Sequence, residues 1–212
     1  MLKIKLYCVL SSRAGLSFEE QAEQCCQGGA AAVLLGGNLV SPKETVARGL
    51  KIKDICRKYK TLFFVGSRPD IALAADADGL HLEPDDVSID LARQILGPRK
   101  LVGVFGSSLA RLVEADGQGA DYLMVGPLFE AAKGEKEPLG LDIIRLVKKR
   151  VKAAVIASGA ITLDNISQAL AEEPDGIAVS RSICGVASPK EAAQKFLRII
   201  TDAGGNAAAG NK

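Results

Sequence analysis

Two turns built from small residues stand in the last third of the chain, Ser158-Gly159-Ala160 and Ser180-Arg181-Ser182. Each follows a short apolar run, residues 155–157 and 177–179, suited to a strand buried on both faces. Backbone N–H groups exposed at such turns suit a phosphate, and Arg181 adds a permanent positive charge. Ser158, Gly159, Ser180 and Arg181 are therefore the candidate phosphate-binding residues.

Other polar residues stand where further apolar runs end. Asn38 follows Gly36-Gly37, Arg68 follows Gly66-Ser67, and Glu83-Pro84-Asp85-Asp86 follows residues 79–82. A long connection, residues 126–139, carries Glu130, Lys133 and Lys136. The single histidine, His81, could act as an acid or base, and inside a strand it reads equally as a packed residue. Asp85-Asp86 could ligate a metal or begin the next helix, and Arg68 beside Pro69 could mark a helix start. Glu130 and Lys133 lie on a functional lid or on a solvated loop tip.

These positions share a face only if the strands before them lie side by side. Apolar runs at 3–10, 31–35, 61–65, 79–82, 101–105, 122–125, 155–157 and 177–179 alternate with helical patterns. Ser17 with Glu20, and Ser41 with Glu44, have the spacing of capping boxes, and Pro42 stands at a first helical position. Helices are expected at 89–96, 108–117 and 141–151, with a last one from Ser188-Pro189 to about Thr201. Eight strand–helix units predict an α/β fold, a single-domain (β/α)8 TIM barrel over residues 1–203. Residues 204–212 are expected to form a disordered tail. The repetition of Asp78-Gly79, Asp121-Tyr122 and Asp175-Gly176 before every second strand favours a closed barrel. The alternative, a doubly wound sheet, lacks a G-x-G-x-x-G turn after the first strand. In the barrel all the candidate residues collect at the C-terminal mouth, where phosphate sites lie after strands seven and eight.

Composition removes several classes of function. A formal net charge of +2, aromatic residues at 4% and no Trp leave no basic or stacking surface for nucleic acid. No run is long and apolar enough to span a membrane, and the first residues pass directly into a strand. Five cysteines, an odd number without C-x-x-C spacing, predict neither a disulfide framework nor a zinc site. A cytoplasmic protein is expected, and its barrel type often pairs into a homo-oligomer.

The chain resembles the thiamin-phosphate synthase family and its TenI-like relatives over nearly its whole length. The resemblance is carried by LYCV at 6–9, RPDIALAADADGLHL at 68–82, GADYLMVGPLF at 119–129 and VIASGAITLDNISQALAEEPDGIAVSRSI at 155–183. It implies an α/β barrel that joins a pyrimidine alkyl diphosphate to a thiazole phosphate. Diphosphate leaves with help from Mg²⁺ and basic residues, and the thiazole nitrogen attacks the resulting cation. The resemblance places Ser158, Gly159, Ser180 and Arg181 at the monophosphate, and Asp86 at a Mg²⁺ carboxylate. It makes His81 and Lys133 the catalytic candidates, and Arg68, Glu130 and Asn38 the substrate-binding ones.

The pattern departs from the family on the diphosphate side. Leu34-Leu35-Gly36-Gly37-Asn38 stands in place of Gln-x-Arg-x-Lys, and Gly66-Ser67-Arg68 in place of Asn-Asp-Arg. Phe105 replaces a Ser, and Glu130 to Lys133 replace a Pro-Thr-x-Thr-Lys loop. Two expectations follow. One is a synthase-type or TenI-like enzyme in thiamin metabolism whose phosphate cradle is kept and whose diphosphate and Mg²⁺ side is degraded. The other is a regulatory or binding relative that holds a thiazole or thiamin phosphate without synthase activity. A sugar-phosphate epimerase or decarboxylase barrel would need a metal or Lys/Asp pattern that these loops lack.

Overall fold

The computed structural model describes residues 4–12, 15–36, 41–130 and 137–209, with side chains as far as residue 204. Eight parallel strands close into a barrel in sequence order. They are β1 (Leu6–Val9), β2 (Ala32–Leu35), β3 (Leu62–Gly66) and β4 (Gly79–Leu82). β5 (Leu101–Gly106), β6 (Tyr122–Val125), β7 (Ala154–Ala157) and β8 (Gly176–Val179) complete it. β8 pairs back onto β1 through Leu6 with Ile177 and Cys8 with Val179. The helices around it are α1 (Phe18–Gln27), α2 (Pro42–Tyr59), α3 (Pro69–Ala74), α4 (Ile89–Leu96) and α5 (Leu109–Gly117). α6 (Ile143–Lys148), α7 (Ile166–Leu170), α8 (Arg181–Cys184) and α9 (Pro189–Ala209) follow.

Local chemistry explains where the helices begin. Ser17 and Ser41 each cap an N3 amide, while Glu20 and Glu44 reach back to the cap N–H, so both expected capping boxes form. Ser88 and Ser108 cap α4 and α5 in the simpler way. Three boundaries differ from expectation. α6 is shorter than residues 141–151, the turn after β8 winds into the four-residue α8, and α9 continues to Ala209. The backbone of residues 204–209 is therefore helical where a disordered tail was expected, because no proline interrupts the pattern begun at Pro189.

Side chains alternate between two cores, as a period of two requires. One face of the sheet packs under the helices, and the other fills the barrel with Tyr7, Leu34, Phe64, Tyr122, Met124 and Ile156 among others. The filling follows a rule repeated in each quarter of the barrel. Tyr7 is in register with Ala32, Phe64 with Gly79, Tyr122 with Gly103, and Ile156 with Gly176. In every pair a bulky side chain lies beside a small residue. A Cβ at Gly79 would run into the Phe64 ring, and one at Gly103 into the Tyr122 ring.

The repeated aspartates lie at the opposite end from the mouth, and each performs the same task. Asp78 accepts from the Phe63 N–H at 2.8 Å, Asp121 from Val102 at 2.7 Å, and Asp175 from Val155 at 2.8 Å. Each also pairs with a cation from the second helix back: Lys53 at 2.5 Å, Arg93 at 2.6 Å and Lys148 at 2.9 Å. A carboxylate that takes a strand amide and a helix cation together ties the two layers of the barrel wall. A hydrogen bond to a charged group of this kind contributes about 1.5–3 kcal/mol.

Candidate active site

The mouth above β7 and β8 holds a cavity of about 350 Å³, bordered by Ser158, Gly159, Ala160, Ser180 and Arg181. Val9 and Met124 form its apolar wall. Gly159 and Ala160 both adopt left-handed backbone, with φ of 96° and 50°. Gly159 could not be another residue without strain, since a Cβ there would also strike the Pro127 backbone. Among the described residues no hydrogen bond uses the N–H groups of Gly159 and Ala160. Two unpaired amides beside an arginine are the components of an anion cradle.

The cradle is braced from several sides. Asn165 accepts from the Thr162 N–H at 2.8 Å and donates to the Ala160 carbonyl at 3.0 Å. The Ser182 hydroxyl donates to the Ile161 carbonyl at 2.8 Å, which locks the turn after β8 to the turn after β7. Ser158 behaves differently from a ligand donor. Its N–H and its hydroxyl both donate to the Val125 carbonyl, at 2.9 and 3.0 Å. The buried Ser158 hydroxyl therefore has lone pairs to offer and its proton already placed. Sequence reads Asn165 with Thr162 as a helix start and Ser182 as part of the Ser-Arg-Ser turn, and assigns neither a bracing role.

His81 lies inside the barrel on β4, 2% exposed. Its Nδ1 is 2.9 Å from the Tyr122 hydroxyl, which is 2.8 Å from the Tyr7 hydroxyl, and the His81 and Tyr122 rings stack at 11°. Burial lowers the His81 pKa to about 4, so its imidazole is neutral near pH 7. Nε2 stands 4.0 Å from Glu83 Oε1 at the rim of the mouth. Burial pushes both tyrosine hydroxyls above their ordinary range. The tyrosines were missed as partners because nothing in the sequence relates positions 7 and 122 until the barrel is closed.

The remaining candidates do not converge on the cradle. Arg68 grips Asp70 with two parallel bonds, at 2.9 and 2.6 Å. The Asp86 carboxylate accepts from the Glu83 N–H at 2.7 Å. It borders a separate cavity of about 230 Å³ between α4 and α5, beside Arg111 and Glu114. Glu130 is exposed just past Phe129. Asn38, Lys133, Lys136 and Arg13 lie outside the described residues. Among the described residues no three His, Cys, Asp or Glu side chains group as metal ligands.

Known proteins with this sequence pattern share the architecture. The profile of the thiamine monophosphate synthase family matches residues 6–183. The chain is 34% identical to a thiamine-phosphate synthase of Pyrococcus furiosus, over 94% of this chain and 96% of that one. It is also 34% identical to a thiamine-phosphate synthase of Moorella thermoacetica, over 94% and 97%. A solved thiamine phosphate pyrophosphorylase from Pyrococcus furiosus superposes with a TM-score of 0.89 at 33% identity, covering 95% of this chain and 97% of that one. A 3-hexulose-6-phosphate synthase structure, 18% identical with a TM-score of 0.64, shares the barrel alone.

Proposed function

Because the chain belongs to the thiamine monophosphate synthase family, we propose that it acts in thiamin metabolism by holding a thiazole or thiamin phosphate between β7 and β8. The observation that carries this reading is the pair of unpaired amides at Gly159 and Ala160 opposite Arg181, over an apolar wall. The two amides and the guanidinium would take the phosphate oxygens. Val9 and Met124 would lie against the heterocycle, and the Ser158 hydroxyl oxygen would accept a hydrogen bond from a protonated phosphate or a bridging water. Neutral His81, backed by Tyr122, would offer one ring nitrogen toward the mouth as a hydrogen-bonding group.

The diphosphate and Mg²⁺ side of the family's reaction is degraded in this reading. Mg²⁺ leans on carboxylates together with substrate phosphates, and there it would stabilise the departing diphosphate. The described residues do not fit it. Asp86 is committed to the Glu83 amide and faces the cavity between α4 and α5, Arg68 is committed to Asp70, and Gly66-Ser67 supply no carboxylate. These commitments favour the second reading, a relative that binds the phosphorylated ligand without synthase turnover.

Calorimetry with thiazole phosphate and with thiamin phosphate, followed by product formation with both substrates and Mg²⁺, separates the readings. Binding with turnover at or below a thousandth of a family synthase supports the degraded site. Turnover at an ordinary synthase rate overturns it, and no binding of either phosphate ends both readings. A cytoplasmic location belongs to the proposal and is supported by five free, buried thiols. Among the described residues no helix is long and apolar enough to cross a membrane. The near-balanced charge supports small-molecule rather than nucleic-acid partners. Self-association as a homo-oligomer is also part of the reading, and sedimentation checks it.

A further inference from the structure

All five cysteines of this chain fall into two buried groups that meet at α1. Consecutive residues Cys25 and Cys26 face different neighbours. Cys25 Sγ stands 3.8 Å from Cys184 Sγ on α8. Cys26 Sγ stands 3.9 Å from Cys56 Sγ on α2. Cys8 on β1 borders the first group. Spacing along the sequence gave no sign of this, since residues 26 and 56 come together only when α1 packs along α2. No other cysteine residues exist in the chain to compete with these pairs.

The two pairs are not equally covered. Cys26 is 4% exposed, while Cys8, Cys25, Cys56 and Cys184 are completely covered. Cys26 is thus the more accessible thiol of its pair, while contact with Cys26 and burial push the Cys56 thiol up. Cys25 and Cys184 are both pushed up, so neither supplies a ready thiolate. The thiolate is the species that attacks an oxidant.

We propose that Cys26 and Cys56 form an oxidation site, with Cys26 as the attacking thiol and Cys56 as the resolving one, which closes to a disulfide that staples α1 to α2. The oxidant is hydrogen peroxide. Cys26 sulfur attacks one peroxide oxygen, the O–O bond breaks, and the departing oxygen takes a proton to leave as water, so Cys26 becomes a sulfenic acid. Cys56 sulfur then attacks the Cys26 sulfur, the S–O bond breaks, and a second water leaves. Two thiols lose two electrons and two protons in total, and one hydrogen peroxide becomes two waters. Closing from 3.9 Å to the ordinary bond length of about 2.05 Å needs a shift of roughly 1 Å from each sulfur. Both cysteines sit in the last turns of their helices, where the backbone yields most easily.

The staple has a definite consequence for the fold. It closes a loop of about 30 residues that contains β2 and most of α2, which restricts the unfolded chain. It lies at the end of the barrel away from the cradle, so it is independent of the proposed ligand. The test treats the folded, full-length protein with hydrogen peroxide, blocks free thiols and maps the cysteine peptides by mass. A Cys26–Cys56 cross-link, reversible by dithiothreitol and raising the melting temperature by roughly 5–10 °C, is expected. Cys56→Ser should abolish it and leave a sulfenic acid on Cys26 that dimedone traps, while Cys184→Ser should keep the cross-link. Five free thiols after treatment, sulfinic acid at Cys26 without a cross-link, or a Cys25–Cys184 cross-link in its place would overturn the proposal. The wild-type map decides the matter even if Cys56→Ser does not fold.

Discussion

The first quarter of the barrel and the other three make the same backbone joint with different means. Ahead of each even strand one amide donates to the strand before it: Ala31 to Leu6 at 2.9 Å, and Asp78 to Phe63, Asp121 to Val102 and Asp175 to Val155 at 2.8 Å each. In three quarters an aspartate carboxylate accepts in return from the N–H of the same partner residue, and a cation from a helix holds that carboxylate. At Ala31 no side chain can do so, and the joint still forms. The parallel pairing is thus set by burial of apolar strands and by the barrel's closure, and the aspartates add stability to a topology they do not decide.

The same comparison extends to the barrel's filling, and there the largest effect is expected. Ala32 opposite Tyr7 tolerates a methyl group, whereas Gly176 opposite Ile156 does not, because a Cβ would strike the Ile4 carbonyl of the neighbouring backbone. Gly176→Ala should cost about 4 kcal/mol in urea unfolding, since backbone cannot step aside as a side chain can. Ala32→Gly in the first quarter should cost only about 1 kcal/mol. Equal losses would show that the quarters are packed alike after all.

One layer further toward the mouth, the even strands carry Leu34, His81, Met124 and Ala178, so in this layer the titratable side chain they supply is His81 of the second quarter. Burial lowers the folded His81 pKa to about 4, while the unfolded value is near 6.5. Between those values the unfolded chain binds the proton and the folded chain does not. Stability from this group is therefore complete above pH 6.5 and falls as the pH drops toward 4, by about 3 kcal/mol in all. Urea unfolding from pH 7 to 4 should show this slope, and His81→Leu should flatten it. An unchanged slope in the variant would place the acid sensitivity elsewhere.

Removing one clamp gives a smaller loss. Asp121→Ala frees the Val102 amide and Arg93 together and should cost about 2 kcal/mol. Thiazole-phosphate affinity, measured by calorimetry, should stay within about twofold, because the clamp lies at the end of the barrel away from the cradle. A tenfold loss of affinity would mean that the two ends of the barrel are coupled.

What could be read from the sequence follows the same division. The strands, the capping boxes and the triplet of aspartates are local signals, since each rests on residues within a few positions of one another. That triplet was legible as a repeat, but its bonds were not, because Asp121 meets Arg93 and Val102 only across two elements. In the mouth, the places of Gly159 and Arg181 beside the cavity were legible because a turn after a buried strand is local. The Tyr7–Tyr122–His81 chain and the thiol pairs were not, since each joins positions between 30 and 159 residues apart. Asp86 illustrates a third case. Its place after β4 fits a ligand position, yet a backbone amide three residues earlier already takes its carboxylate. Sequence showed where that residue stands and could not show what it was already bonded to.

The mildest change tests whether the cradle belongs to the ligand rather than to the fold. Arg181 is exposed at the start of α8, and the turn it stands on is held by Ser182 on the Ile161 carbonyl and by the Ile183 and Cys184 amides on the Ser180 carbonyl. Its side chain can therefore be removed while the turn keeps its bonds. Arg181→Ala should weaken thiazole-phosphate binding about tenfold, equivalent to about 1.4 kcal/mol. Unfolding free energy should move by no more than about 0.5 kcal/mol. The amides of Gly159 and Ala160 would remain and account for the binding that survives. Ser182→Ala offers the contrast, because it loosens the turn itself and should lower stability and affinity together. If Arg181→Ala instead cost stability and spared binding, the mouth would resemble the clamped end of the barrel, and the phosphate would have to be held elsewhere.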